Sequence, residues 1–121
     1  MAYFVGTIAH GSTGTKTVSV GFQPLGMRIT VGQKFGTAQN FAHSSIGVSD
    51  GVDQYCTSIY QDTTGGLTKS VDDKLISHYD RVGGTLTEVL AGTINSFTAT
   101  QVKYNITTAN ANYNLLIEAW G

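Results

Sequence analysis

The sequence predicts an all-β protein: an antiparallel two-sheet β-sandwich, jelly-roll-like, with about 8–10 strands and little or no helix. Apolar and polar residues alternate with a period of two in many short runs. These runs are about five to nine residues long and end at Gly, Asn, Asp or Ser, as strands do. Charged residues make up only 12% of the chain, which suits sheets whose exposed faces carry Thr and Ser.

The first half of the chain contains four such runs, at Tyr3–Ala9, Thr17–Val20, Leu25–Val31 and Ser44–Ser49. The most regular is Leu25–Val31, whose odd-numbered apolar residues all point to one face if the run is extended. The only proline of the chain stands directly before it. Proline fixes φ and lacks a backbone N–H, so it belongs at the head of a strand. We expect Phe22, just before the proline, to anchor this turn against the core.

The second half contains four more runs with the same period, at Tyr55–Gln61, Thr85–Ala91, Gln101–Ile106 and Tyr113–Ala119. No composition shift, linker or internal repeat divides the sequence. The sequence therefore predicts one domain over residues 1–121.

One segment, Ser70–Val82, has two interpretations. Ser70 can cap a helix, because apolar residues follow it at helical spacing. The same residues also alternate as a strand over Lys74–Asp80. Periodicity alone leaves both open. The neighbouring elements are strands and Gly83-Gly84 makes a hairpin turn into Thr85–Ala91, so the strand is favoured.

Charge and cysteine content exclude several classes of protein. The net charge is -1 and the chain has no Lys/Arg cluster, so no nucleic-acid partner is expected. No apolar run approaches the roughly 20 residues of a membrane span, and the first residues lack the features of a secretory signal. The single cysteine, Cys56, cannot form an intrachain disulfide. We expect it to be a small buried residue in a protein assembled in a reducing cytoplasm.

Catalytic and metal chemistry is not expected. The three histidines are scattered, none has a second ligand at metal-binding spacing, and no nucleophile-elbow sequence is present. A hydrolase remains an alternative, and it would need a pocket that contains His78 or a carboxylate of shifted pKa. Asp50 and Asp53 around Gly51 favour a hairpin turn over a calcium loop. Asp72-Asp73 favours a loop in the same way, and ion binding stays open for both. No cofactor is predicted.

Tyrosine and polar loop residues are the best candidates for a binding surface. A tyrosine-rich sheet can stack sugars or form a protein interface. Two polar loops are predicted, at Gln61–Gly66 and Thr107–Asn112. The candidate interface or ligand residues are Tyr55, Tyr60, Gln61, Asp62, His78, Asn110 and Asn112.

Three stretches resemble small bacteriophage-associated β-sandwich domains. They are VSVGFQPLGMRITVG, with its Gly-Phe-Gln-Pro turn and alternating strand, IGVSDGVDQYCTSIY, and the closing INSFTATQVKYNITTANANYNLLIEAWG. They cover more than half of the chain in the expected order. The chain departs from the pattern at Thr100-Gln101, where a turn glycine is usual, and at Ala119-Trp120-Gly121, where a paired glycine is more typical. The resemblance also favours a strand over Lys74–Asp80.

The resemblance implies a non-enzymatic virion component and supplies no catalytic residues. A capsid decoration (cement) protein is expected, present in the virion after assembly in the host cytoplasm. Its partners would be copies of itself, as a dimer or trimer, and a major capsid or other virion protein. The alternative is a tail or fibre domain that recognises the host by binding surface carbohydrate.

Overall fold

The alternating runs form ten strands and no helix in residues 1–33, 36 and 41–121, which the computed structural model describes. The strands make two antiparallel sheets, which confirms the predicted β-sandwich. Their bounds are β1 Tyr3–His10, β2 Gly14–Ser19, β3 Gly26–Gln33, β4 Ala42–Ser49, β5 Gln54–Asp62, β6 Gly65–Val71, β7 Ile76–Val82, β8 Thr85–Phe97, β9 Gln101–Thr108 and β10 Asn110–Trp120.

The strand order explains how the chain closes on itself. The six-stranded sheet runs β1-β10-β3-β4-β5-β6 and the four-stranded sheet runs β2-β9-β8-β7. At its two ends the chain alternates between sheets, from β1 to β2 to β3 and from β9 to β10, as in a jelly roll. Between them, β3 to β6 form a meander in the six-stranded sheet, the chain crosses to the other sheet after β6, and β7 to β9 form a meander there. The chain therefore crosses between the two sheets after β1, β2, β6 and β9, and the two meanders account for the rest of the sandwich.

An apolar core fills the space between β3 and β10 of one sheet and β8 and β9 of the other. These strands turn every second side chain inward, which is the period read from the sequence. The fully buried apolar side chains of this core include Met27, Ile29, Val31, Leu75, Ile76, Leu90, Val102, Tyr104, Ile106, Leu115 and Ile117.

The proline turn has the predicted place in the fold. Pro24 is buried just before β3, and Phe22 packs against the core. Leu25, however, lies outside the strand with 68% of its surface exposed. Its predicted place on the inward face with Met27 is therefore wrong, because its backbone N–H bonds to the carbonyl of Trp120 before β3 begins.

The ambiguous segment is a strand. β7 covers Ile76–Val82 and pairs with β8 through a hairpin at Gly83-Gly84. Both glycines have positive φ, 58° and 84°, a region that L side chains rarely adopt. The predicted strand and hairpin turn are confirmed.

The two predicted polar loops are shorter than expected. β5 continues to Asp62 and β6 begins at Gly65, so most of Gln61–Gly66 is a tight hairpin. The carboxylate of Asp62 accepts hydrogen bonds from the backbone N–H groups of Thr64 and Gly65, which closes this turn in two residues. The segment Thr107–Asn112 is strand except at Ala109, the one residue that separates β9 from β10. Hydrogen bonds from backbone N–H groups to the side chains of Asp62 and Asn110 allow tight connections, so both loops are shorter than composition predicts.

The two sheets approach each other closely where β4 contacts Leu75, the residue that precedes β7. Gly47 faces inward, and a Cβ atom there would overlap the backbone carbonyl of Leu75. Leu75 is itself held in place, because its N–H donates to the carbonyl of Gly92 at 2.9 Å. Moving either backbone would break hydrogen bonds of β4 or of Leu75, so this position requires glycine.

We therefore expect Gly47→Ala to lower the free energy of unfolding by about 3 kcal/mol, because overpacking against a backbone forces the sheets apart. Denaturant unfolding measures this change. Gly32→Ala is the matched control: Gly32 also lies in a central strand, but nothing lies within 4 Å of its Cβ position. Equal losses in the two variants would contradict the close approach of the sheets at Gly47.

Candidate docking face and buried polar cluster

One part of the interior, between β4, β5 and β7, is polar. We call it the polar cluster; its inward side chains are His43, Ser45, Ser58, Tyr60, His78 and Tyr113. The ring centroid of His78 lies 5.0 Å from that of His43 and 4.9 Å from that of Tyr113. His78 is 0% exposed, and its two ring nitrogens have no hydrogen-bond partner among the described residues.

Charged groups close the polar cluster where it approaches solvent. The Tyr60 hydroxyl donates to the Asp62 carboxylate at 2.9 Å, and the Tyr113 hydroxyl donates to Asp80. Nε of Arg81 donates to Asp62 at 2.6 Å. This guanidinium holds the pKa of Asp62 well below its ordinary value, so the carboxylate stays charged at neutral pH.

The polar cluster carries little reactive chemistry. Burial, with a smaller effect of His43, lowers the pKa of His78 to about 4, so its ring is neutral at pH 7. Burial also raises the pKa of the Cys56 thiol, which makes it a poor nucleophile. Cys56 is 2% exposed, as predicted for a small buried residue. Among the described residues, no group of three or more His, Cys, Asp or Glu side chains could hold a metal ion.

The seven predicted surface residues do not form one site. Surface exposure is wrong for Tyr60 and His78, which lie in the polar cluster with 2% and 0% exposure. Tyr60 differs from Tyr55 by an odd number of positions in β5, so the two must point to opposite faces. The remaining five divide between strand ends and the outer sheet surface. Tyr55 and Gln61 are exposed, Asp62 is half-buried at the margin of the polar cluster, and Asn110 and Asn112 lie at the start of β10.

The outer surface of the six-stranded sheet carries several exposed large apolar side chains. We call the outward side chains of β1, β10, β3, β4 and β5 the docking face. Register places Val5, Glu118, Arg28, Val48 and Tyr55 in one row across it. Its exposed large apolar side chains are Tyr3, Val5, Ile46, Val48, Tyr55 and Ile59.

The outer surface of the other sheet has a different character. There β2 and β9 place Thr15 opposite Asn105 and Thr17 opposite Lys103, and β8 adds Thr93 beside Asn105. These are small polar and charged side chains, as expected of a sheet that faces water. The two outer surfaces therefore differ in polarity, and the docking face carries the exposed large apolar side chains Ile46, Val48 and Ile59.

The docking face is also electrically neutral. Its only charged side chains among the described residues are Arg28 and Glu118, which form an ion pair at 2.7 Å. The Tyr3 hydroxyl also donates to Glu118. These hydrogen bonds hold the pKa of Glu118 below its ordinary value. Sequence reasoning missed the pair because the two residues are 90 positions apart and meet only through the register of β3 with β10.

A groove lies at one corner of the docking face, where β3, β4, β5 and β10 begin or end. Its cavity of about 300 Å³ is lined by Leu25, Gly26, Val48, Ser49, Asp50, Asp53, Tyr55 and Trp120. The Trp120 indole covers Gly26, its partner across β3 and β10, because a Cβ there would overlap three ring atoms. Sequence reasoning selected only Tyr55 from this groove. The alternation of Trp120 with inward Ala119 is the signal that could have added it.

The buried His78 predicts a specific acid sensitivity. Its pKa falls from an ordinary 6.5 in the unfolded chain to about 4 in the folded one, so the unfolded state binds more protons between these values. Stability should fall as the pH drops below 6.5, by about 3 kcal/mol in total from this residue, and the loss should be complete near pH 4.

Denaturant unfolding at pH 7 and pH 4.5 measures this loss, and His78→Phe should remove most of it by replacing the titrating ring with a non-titrating one. Asp62 contributes separately. Because its folded pKa is depressed, its stabilisation is lost at lower pH, below the ordinary carboxyl range. An unchanged pH dependence in His78→Phe would show that His78 is not buried as a neutral ring.

Comparison with known proteins leaves the site to be interpreted from its own geometry. A scan against protein-family models, a search of curated proteins and a search of solved structures each found no match to this chain. In the part of the chain that the structure describes, no helix is long and apolar enough to cross a membrane. Function is therefore argued from the docking face, the groove and the polar cluster.

Proposed function

We propose that the chain is a non-enzymatic structural protein of a bacteriophage virion, a capsid decoration protein that pairs with a second copy through its docking face. The supporting observation is the contrast between the two outer sheet surfaces. One carries exposed Ile46, Val48 and Ile59, while the other carries Thr, Asn and Lys. Exposed apolar area of this kind on a sandwich marks a protein interface.

A second copy suits the docking face for electrostatic reasons. Two like surfaces brought together in a symmetric dimer repel each other if each carries a net charge. The single ion pair of Arg28 with Glu118 leaves this face neutral. Self-association therefore meets no net repulsion from the strands of the face, and the acidic groove with Asp50 and Asp53 lies at its corner, away from the centre of the contact.

The size of the docking face is also adequate. Five strands at roughly 4.8 Å spacing and about seven residues at roughly 3.3 Å rise give on the order of 500 Å² per copy. Two copies would together bury on the order of 1,000 Å², which is at the lower end of the range for specific interfaces. This flat-sheet area does not include the extra surface of protruding side chains. Such an interface supports a dimer that forms at the high local concentration on a shell.

The virion assignment adds the sequence resemblance to this surface chemistry. A decoration protein needs no reaction; it stabilises a shell by binding only the assembled form. The exposed surface suits that role because it offers apolar contact area. Contact with a major capsid protein would then use surface outside the centre of the docking face.

The groove favours a second candidate function, a carbohydrate-binding domain of a tail or fibre. Tyr55 and Trp120 line it together, and aromatic side chains stack on sugar rings. A glycan array with Trp120→Leu as the comparison variant tests this alternative. Saturable binding to a defined glycan that is lost in the variant would replace decoration as the main function.

Self-association is tested by sedimentation velocity. We expect the purified chain to form dimers, and Ile46→Glu to weaken association about tenfold or more, because it buries an unpaired charge at the centre of the interface. Thr17→Glu is the matched control on the other outer surface, and it should associate as the parent chain does. A parent chain that remains monomeric at all concentrations would contradict the proposed pairing.

The virion role is tested on purified virus particles from the source of the sequence. Quantitative mass spectrometry should find this chain at a copy number comparable with that of the shell protein. A copy number of only a few per particle would instead place it in a tail or fibre, and its absence from particles would overturn the virion assignment.

A further inference from the structure

We propose that the groove binds an arginine side chain of a protein other than this chain. The inference rests on the proposed function, because the groove lies on the docking face and the arginine would belong to the protein on which the paired chains dock. The groove lies at a corner, where strands end, so pairing through the centre of the face leaves it at the margin of the interface.

The Trp120 indole forms the floor of the groove and is held in a fixed position. The Trp120 indole is held over Gly26, and the adjoining backbone N–H of Leu25 donates to the Trp120 carbonyl at 2.8 Å. The ring is therefore positioned before any ligand arrives. A preorganised aromatic ring lowers the entropy cost of binding, and a tryptophan face is the best partner for a guanidinium plane.

The wall of the groove carries negative charge. Asp50 and Asp53 line the groove, and none of the other lining residues is charged. Backbone N–H groups of Val52 and Asp53 donate to Oδ1 of Asp50 at 3.0 and 2.8 Å, which holds the turn and keeps the pKa of Asp50 below its ordinary value. The groove thus combines an aromatic floor with two carboxylates that have no cation in the described structure.

The combination with tryptophan sets the groove apart from other acidic positions, because Asp72 and Asp73 line a cavity that has no tryptophan. Three of the remaining carboxylates already have cations, in the pairs Asp62–Arg81, Glu88–Lys74 and Glu118–Arg28. A neutral sugar would leave the charge of Asp50 and Asp53 uncompensated. A cation with a flat, weakly hydrated surface satisfies both the carboxylates and the indole, which describes arginine better than lysine.

The arginine must come from another protein. The chain has two arginines, Arg28 and Arg81, and each is held in an ion pair within its own fold. A second copy could fill the groove only by breaking one of these pairs. The groove therefore offers this chain a contact that self-association does not use.

The test uses the full chain labelled with ¹⁵N and a blocked tripeptide, acetyl-Gly-Arg-Gly-amide, as the probe. We expect saturable chemical-shift changes at the Trp120 indole N–H and at the Val52 and Asp53 amides. The corresponding lysine peptide should bind more weakly, and the glutamate peptide should cause no saturable change. Added salt should weaken arginine binding because the contact is partly ionic.

Charge-neutral variants identify the groove as the site. In the double variant Asp50→Asn with Asp53→Asn, the amide oxygen introduced at position 50 can still accept the two turn hydrogen bonds, so the fold should persist. We expect the Kd for the arginine peptide to rise about fivefold or more, since two exposed charge contacts are removed. Asp72→Asn with Asp73→Asn is the matched control: it removes two charges from a neighbouring cavity that also contacts Tyr55, and the Kd should stay within about twofold.

Three outcomes would overturn the inference: no saturable response to the arginine peptide, equal weakening in the two double variants, or saturable shifts at Trp120 with glucose, galactose or N-acetylglucosamine but not with the peptide. Ile46→Glu separates this inference from the proposed function, because it should still bind the peptide as a monomer. Peptide binding by a parent chain that never self-associates would leave the groove assignment standing and remove the pairing.

Discussion

The insertion of β10 between β1 and β3 is the constraint on which both sides of the six-stranded sheet depend. Its inward residues Leu115 and Ile117 join the apolar core, while its outward Glu118 and Trp120 complete the docking face and the groove. β1 and β3 do not pair with each other, so β10 is the strand that joins them in one sheet. The pairing of β10 with β3 joins residues 80 to 94 positions apart, so these contacts form only after a large loss of chain entropy.

The interior has two kinds of packing, and each has its own role. The apolar part supplies the general driving force for folding. The polar cluster contributes less free energy, because buried hydroxyls and rings must give up water. Its hydrogen bonds from Arg81 to Asp62 and from Tyr113 to Asp80 join β7 to β5 and β10, and they require one alignment of these three strands. A shift of one residue in any of these strands would bury an unpaired group, so the cluster favours a single register.

The sequence predicted elements whose signals are local. The alternation in Leu25–Val31 identified β3, and Gly83-Gly84 identified a hairpin whose positive φ values need glycine. Loop lengths were overestimated where Asp62 and Asn110 cap tight connections, because composition does not reveal hydrogen bonds.

The candidate sites depended on information that the sequence does not contain locally. Tyr55 was identified as an exposed aromatic residue, which the structure confirms. The contact of Trp120 with Gly26 and the pair of Arg28 with Glu118 follow only from the register of β3 with β10. The sequence predicted His78 at the surface because it is polar and no neighbouring residue in the sequence indicates which strands cover it. Its burial depends on β4 and β10, which supply His43 and Tyr113 from the opposite sheet.

The position of Trp120 also gives the molecule a built-in optical reporter. It is the only tryptophan in the chain, so fluorescence excited selectively in indole comes from one place. Tyr113, in the polar cluster, lies seven residues away along β10, about 23 Å at the usual strand rise. Emission from the indole is therefore well separated from protonation at His78 and close to any molecule that covers the corner of the sheet. Closure of β10 onto β3 and occupation of the groove can both be followed in the native chain without an attached dye.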